Sequence, residues 1–140
     1  IVEKNSHQFS LKWKLKCVHL DWHTYNWDTQ LLNFEENKKF DIIVNNPPYI
    51  PSNDINLLEI EVRDYDPILA LDGGNDGLNA YRSIIPRLKN LVKSDGKIFV
   101  EIGRGQENSV SEIALQHGIL SIDYKRDLSN IIRVIVFNIK

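Results

Sequence analysis

The sequence has no methionine, one cysteine and no large excess of either charge. The lone thiol, Cys17, excludes an internal disulfide and fits a reducing cytoplasmic setting. Its place in an apolar run predicts a small buried residue. No stretch approaches the roughly 20 apolar residues that a membrane-spanning helix needs, and no charged-then-apolar segment of the signal-peptide kind opens the chain. Lys and Arg number 17 against 19 Asp and Glu, a formal net charge of −2. That balance argues weakly against a surface that grips nucleic acid by neutralising phosphates, and leaves a local basic patch open. His7, His19, His23 and His117 stand at no metal-ligand spacing with cysteine or carboxylates, so no metal is expected. No Ser-His-Asp arrangement can be read. A translation product begins with Met, whereas this chain begins at Ile1; the expectation is that an N-terminal portion is missing.

What is present predicts one domain with a single modest core: 140 residues, 42% of them hydrophobic. Residues 1–8 read as the end of a helix. Residues 11–20 alternate, with Lys12, Lys14 and Lys16 on one side and Trp13, Leu15 and Cys17 on the other. That is a strand with a lysine-decorated face, running into Asp21 and Trp22. Residues 28–39 are polar and read as a loop or short helix. Residues 40–44 (Phe-Asp-Ile-Ile-Val) form a nearly continuous apolar run, the mark of a strand buried on both faces. It ends at Asn45-Asn46-Pro47-Pro48-Tyr49, where the prolines forbid both helix and central strand.

Residues 50–77 are irregular, and a loop of that length in a small domain is usually functional or disordered. Asn75 or Asp76 is placed to cap a helix in which Leu78, Tyr81, Ile84, Ile85, Leu88, Leu91 and Val92 recur at helical spacing. Pro86 should kink it and Gly96 close it. Residues 97–102 form a third strand, entering Gly103-Arg104-Gly105. Residues 107–117 form a helix with Val110, Ile113 and Ala114 on one side, stopped by Gly118. Two strands follow, 119–124 and 131–139, joined by a connection too short for a crossover helix, so that pair is antiparallel. The fold class is α/β, a mostly parallel sheet ending in an antiparallel hairpin.

In open α/β sheets, ligands bind beyond the carboxyl ends of the strands. The Asn-Pro-Pro-Tyr turn at one such end has a direct chemical meaning. An amide or aromatic amine nitrogen is a poor nucleophile because its lone pair is delocalised. It must pyramidalise to accept a methyl group, and acceptors aimed at its two N–H bonds favour that change. Asn46 offers a side-chain oxygen. Pro47 offers a carbonyl held by fixed φ angles. Tyr49 offers a ring face to a planar group. Positioning, rather than a base of shifted pKa, supplies most of the effect. On the residues alone, Trp22 is equally an ordinary core aromatic. Asp21 is equally a solvated carboxylate or an acceptor for an adenine amino group.

The four residues from Asn46 to Tyr49 resemble the motif of methyltransferases that act on amino groups of adenine, guanine or glutamine. Glu61-Val62-Arg63-Asp64-Tyr65-Asp66-Pro67, Ala70-Leu71, Gly73-Gly74, Asp76-Gly77-Leu78, and Glu101-Ile102-Gly103 with Gly105-Gln106 narrow this. Together they look like the release-factor glutamine N5-methyltransferases, the HemK-type family, over nearly the whole chain. The resemblance implies a Rossmann-like class I methyltransferase fold with its N-terminal strands missing, residues 1–140 being the C-terminal part of one catalytic domain. It implies S-adenosylmethionine as cofactor, a release factor as protein substrate, and a cytoplasmic enzyme with no direct nucleic-acid binding. By position, Asp21, Trp22 and Asn46 would contact the cofactor. Asn46, Pro47, Pro48 and Tyr49 would form the glutamine pocket, with Asn46, Pro47 and Tyr49 nearest the chemistry. The family's glycine-rich cofactor loop and the acidic residue for the ribose are not in this sequence. Asn130 stands where the family usually has a glycine, and asparagine tolerates a left-handed turn. With the first strand of the family's sheet absent, residues 40–44 would have an unpaired edge, and the chain alone is expected to bind cofactor weakly and to self-associate. The alternatives are a methyltransferase of a nucleic-acid base and an inactive fragment.

Overall fold

The computed structural model describes residues 15–139. The expected helix end at residues 1–8, and residues 11–14 of the expected first strand, lie outside the described residues. Residues 15–20 are irregular, not a strand, and Cys17 is exposed rather than buried. The reason is that alternation makes a strand only where a neighbour takes up the backbone donors and acceptors. No sheet strand pairs with this segment among the described residues.

The chain then forms α1 (Trp27–Phe34), β1 (Phe40–Asn45), a 3-10 helix (Ser52–Leu57), and the single turns α2 (Ile60–Arg63) and α3 (Ile68–Leu71). It continues with α4 (Asn79–Leu91), β2 (Val92–Glu101), α5 (Glu107–Gln116), β3 (Ile119–Arg126) and β4 (Ile132–Ile139). The sheet runs β1-β2-β4-β3. β1 and β2 are parallel, β2 and β4 antiparallel, and β3 and β4 close the sheet as the expected hairpin. Asn130 takes the left-handed conformation at φ 64°. The architecture is the α/β, Rossmann-like one expected, ending in the expected hairpin, but among the described residues the sheet is mixed rather than mostly parallel, with β1–β2 its one parallel pair.

The core lies where the helical spacing placed it. Tyr81, Ile84, Ile85, Leu88 and Leu91 of α4 are buried against Ile98, Val100 and Ile102 and against Ile135 and Phe137 of β4. α4 continues through Pro86 to Leu91. α5 adds Val110 and Ala114 from the side predicted. Burying such side chains stabilises by about 1.5–3 kcal/mol each, so this layer carries most of the fold. β2 already begins at Val92, with Gly96 inside it rather than closing the helix.

β1 departs from expectation. Phe40 and Ile43 are partly buried against the core, but Ile42 and Val44 are 60% and 77% exposed. The register with β2 shifts between Phe40 and Ile42, where two positions of β1 stand against five of β2. The side bearing Ile42 and Val44 faces no helix, and β1 is an edge strand among the described residues. A continuous apolar run signals double-sided burial only when both layers are in place. None of the described helices is long and apolar enough to cross a membrane.

Candidate active site

The end of the parallel strand β1 delivers the chain into the turn. Asn45 still pairs in register with Val100; Asn46 is exposed, Pro47 and Pro48 are buried, and Tyr49 is half-buried. Beyond it, backbone bonds fold the long loop back against the turn. Ile50 N–H donates to Leu71 (3.0 Å), Gly73 N–H to Ile50 (2.8 Å) and Ser52 N–H to Gly74 (2.9 Å). Asp72 fastens this return. Its Oδ1 accepts from the Ser52 hydroxyl at 2.7 Å and from Gly74 N–H at 2.8 Å. These bonds, the hydroxyl's first, hold its carboxyl below the usual carboxylate range. Asp76 accepts from Leu78 N–H at 3.1 Å and pairs with Arg82. It serves the start of α4 two residues ahead of the cap position, and the Arg82 guanidinium holds its carboxyl down at about 2.

The turn is held from the carboxyl end of β2. The Tyr49 hydroxyl donates to Glu101 Oε1 at 3.1 Å. Burial first, and then the neighbouring carboxylate, push the phenol pKa up. Gln106 Nε2 donates to the Tyr49 carbonyl at 3.0 Å, and its Oε1 accepts from Gly103 N–H at 2.9 Å. The buried Tyr81 hydroxyl, its own pKa raised by burial, donates to the Glu101 carbonyl at 2.9 Å. The roles of Glu101 and Gln106 leave no local signal in the sequence; both appear there only among residues that carry the family resemblance.

Two open clefts flank the turn. The larger, about 640 Å³, is lined by Asp21, Trp22, His23, Pro48, Leu69, Asp72 and Asn79, among others. It brings the predicted cofactor residues Asp21 and Trp22 together with Pro48. Asp21 Oδ1 accepts from His23 N–H at 2.9 Å in a tight local turn, and Trp22 is half-buried. The smaller, about 280 Å³, lies at Tyr49 and is lined also by Asp54, Arg104, Gln106 and Arg133. Asn46 lines neither cleft. No group of His, Cys, Asp and Glu able to hold a metal occurs among the described residues.

This arrangement suits a reaction governed by positioning. Acceptors stand at a rigid proline turn, and an aromatic ring is fixed beside it. A cleft opens along the same strand end.

A family model described as Eco57I restriction-modification methylase matches residues 3–100. Among curated relatives, a release factor glutamine methyltransferase of Clostridium acetobutylicum is 44% identical over 102 residues, covering 73% of this chain and 36% of the relative. The protein of the same description from Caulobacter vibrioides is 37% identical over 136 residues, covering 97% of this chain and 44% of the relative. A bifunctional methyltransferase of Rickettsia conorii is 36% identical over 138 residues, 99% of this chain and 25% of the relative. The chain thus spans less than half the length of these relatives. The solved structure described as the crystal structure of M1.HpyAVI shares the fold, with a TM-score of 0.51 at 13% identity, covering 88% of this chain and 54% of that one. The resemblance carried by the Asn-Pro-Pro-Tyr turn and the loop after it is borne out in these relatives.

Proposed function

The chain belongs to the Eco57I restriction-modification methylase family, and on that premise we propose that the protein carrying it methylates the side-chain amide N5 of a glutamine in a peptide-chain-release factor. The observation that carries this reading is the Asn-Pro-Pro-Tyr turn at the carboxyl end of a parallel strand, with Tyr49 tied at both its hydroxyl and its carbonyl. The relatives described as release factor glutamine methyltransferases support the choice of substrate.

The side chain of Asn46 and the carbonyl of Pro47 accept from the two N–H bonds of the glutamine amide. The ring of Tyr49 lies against the amide plane, and Pro48 walls the pocket. As the nitrogen pyramidalises, its hydrogens grow more acidic and these acceptors bind more strongly, so the stabilisation is specific to the transition state. S-adenosylmethionine, when bound, would supply the electrophilic methyl group, its S–CH3 bond breaking as the N–C bond forms, and the amide nitrogen would release one of its two protons to solvent. The residues of the larger cleft fit part of it: Trp22 offers a half-buried ring to a purine, and Asp21 has a carboxylate oxygen beyond the one engaged by His23. We further propose that residues 1–140 form the C-terminal part of one catalytic domain, that the enzyme works in the cytoplasm without binding nucleic acid directly, and that the chain alone self-associates through the outer edge of β1.

The second reading, a nucleic-acid base methyltransferase, draws on the description of the matching family. Against it stand the net charge of −2 and the loop after the turn, where Glu59, Glu61, Asp64 and Asp66 are all exposed and would repel a phosphate backbone.

The test incubates the full-length protein and labelled S-adenosylmethionine with a release factor and with its glutamine-to-alanine variant. Label on the unaltered factor alone is the expected result. Equal label on both, or label only on RNA or DNA, overturns the proposal.

A further inference from the structure

The carboxamide of Gln106 makes hydrogen bonds to four residues. Oε1 accepts from Gly103 N–H at 2.9 Å and from the Tyr81 hydroxyl at 3.4 Å. Nε2 donates to the carbonyls of Tyr49 at 3.0 Å and Gly77 at 3.4 Å. The orientation is dictated by chemistry. A backbone N–H only donates and a carbonyl only accepts, so the oxygen must face Gly103 and the nitrogen must face Tyr49 and Gly77. The backbone is cleared around this group. A Cβ on Gly77 would collide with the Tyr49 carbonyl and stand 2.6 Å from Gln106 Nε2. One on Gly103 would meet Gln106 Oε1 at 2.8 Å and Tyr49 Cδ2 at 3.2 Å. Gln106 occupies the cap position of α5, yet makes no side-chain cap bond to that helix. Its side chain is committed to the turn instead.

We propose that Gln106 is a positioning residue for methyl transfer: its carboxamide fixes the main chain of Tyr49, and hence the plane of the ring against which the acceptor amide lies. Glu101 holds the hydroxyl at the far end of the Tyr49 side chain, so the residue is held at its main chain and at the tip of its ring. This rests on the reading of Tyr49 as the wall of the acceptor pocket. Gln106 acts through Tyr49, whose carbonyl it holds.

Gln106→Glu separates this role from bulk and packing. The carboxylate keeps an acceptor toward Gly103 and the same length, but sets an oxygen against two carbonyls. Gly103→Ala is the second probe. Gly103 does not occupy the left-handed region, so the added methyl acts by displacing the Gln106 carboxamide and the Tyr49 ring rather than by straining the backbone. Two readouts are taken on each full-length variant that retains a cooperative thermal transition: kcat, KM and cofactor Kd for methyl transfer, and hydrogen exchange at the amides within residues 46–50 (Asn46, Tyr49 and Ile50, the two prolines having none) and 103–106. The expected result is faster exchange in both segments with that of β3 and β4 unchanged. Alongside it, kcat falls about 100-fold, the scale of a misplacement near 1 Å, at unaltered cofactor Kd. Unchanged exchange at residues 46–50 in both variants overturns the clamp. Faster exchange with unchanged kcat overturns its role in positioning. If the unaltered protein transfers no methyl group to glutamine, the proposed function fails, and the exchange data still decide whether Gln106 holds the turn.

Discussion

The Tyr49 hydroxyl donates to Glu101 Oε1 at 3.1 Å, binding the last residue of the turn to the last residue of β2. A ring used only for its face would not need that bond. Tyr49→Phe should therefore do more than the sequence suggests. It removes a hydrogen bond to a carboxylate in a half-buried place, costing about 1.5 kcal/mol of stability, and it lowers turnover several-fold by freeing the ring. Tyr49→Ala should remove nearly all turnover, because the ring itself goes. Thermal unfolding and methyl-transfer rates on both variants check this. A Phe variant with the melting point and rate of the unaltered protein would show the hydroxyl contact to be idle.

Asn46 poses the opposite case. It is exposed and forms no side-chain hydrogen bond among the described residues. Asn46→Ala should leave the melting point unchanged while kcat falls by roughly 2.7–4 kcal/mol in barrier terms, the scale for loss of one preorganised transition-state partner. Cofactor affinity should fall less than turnover. Near-normal turnover would remove Asn46 from the reaction.

The carboxylates of the site loop and hairpin make stability depend on acid. Asp76 is held at about 2 by Arg82. Asp72 is held low by the Ser52 hydroxyl, and Asp127 by the Ile131 N–H. In each case the folded protein binds the proton less tightly than the unfolded chain. The stabilisation is therefore complete above the unfolded carboxylate pKa of about 3.9, and is lost as pH falls through the folded values. Denaturant midpoints should drop between about pH 4 and pH 2. Asp76→Asn should lower the midpoint at pH 7 and flatten that drop. A variant whose midpoint falls as steeply as the parent's would mean that the Arg82 pair contributes nothing.

The outer side of β1 is the fourth test. Ile42 and Val44 are exposed on a strand that pairs on one edge only among the described residues, and such edges recruit other strands. Ile42→Lys with Val44→Lys should shift residues 1–140 from associated species toward monomer in light scattering, with little change in melting point at matched monomer concentration. Scattering that does not change places the association surface elsewhere.

Much of the frame could be read from the chain because it is governed by local rules. The helix over Tyr81, Ile84, Ile85, Leu88 and Leu91 follows from apolar spacing, and the hairpin from a short connection closed by Asn130 at φ 64°. Residues 15–20 and the exposure of Ile42 and Val44 could not be read, because both depend on whether a neighbouring layer is there. Pattern records what a segment suits, not what arrives to cover it. The turn at Asn46 was legible for its prolines. Its restraint by Gln106 was not, since a bond across 57 positions leaves no periodic trace.

That separation also sets an order in time. Glu101 and Gln106 follow Tyr49 by 52 and 57 positions. At roughly 5–20 residues per second of synthesis, the turn leaves the ribosome several seconds before either of its restraints. During that interval the turn is shaped by the proline rings, which restrict the chain with no partner at all, and then by the return of the loop at residues 71–74. Competence for transfer is therefore a late acquisition of the nascent chain. A ribosome stalled before residue 101 would display the proline turn without either group that holds the tyrosine still.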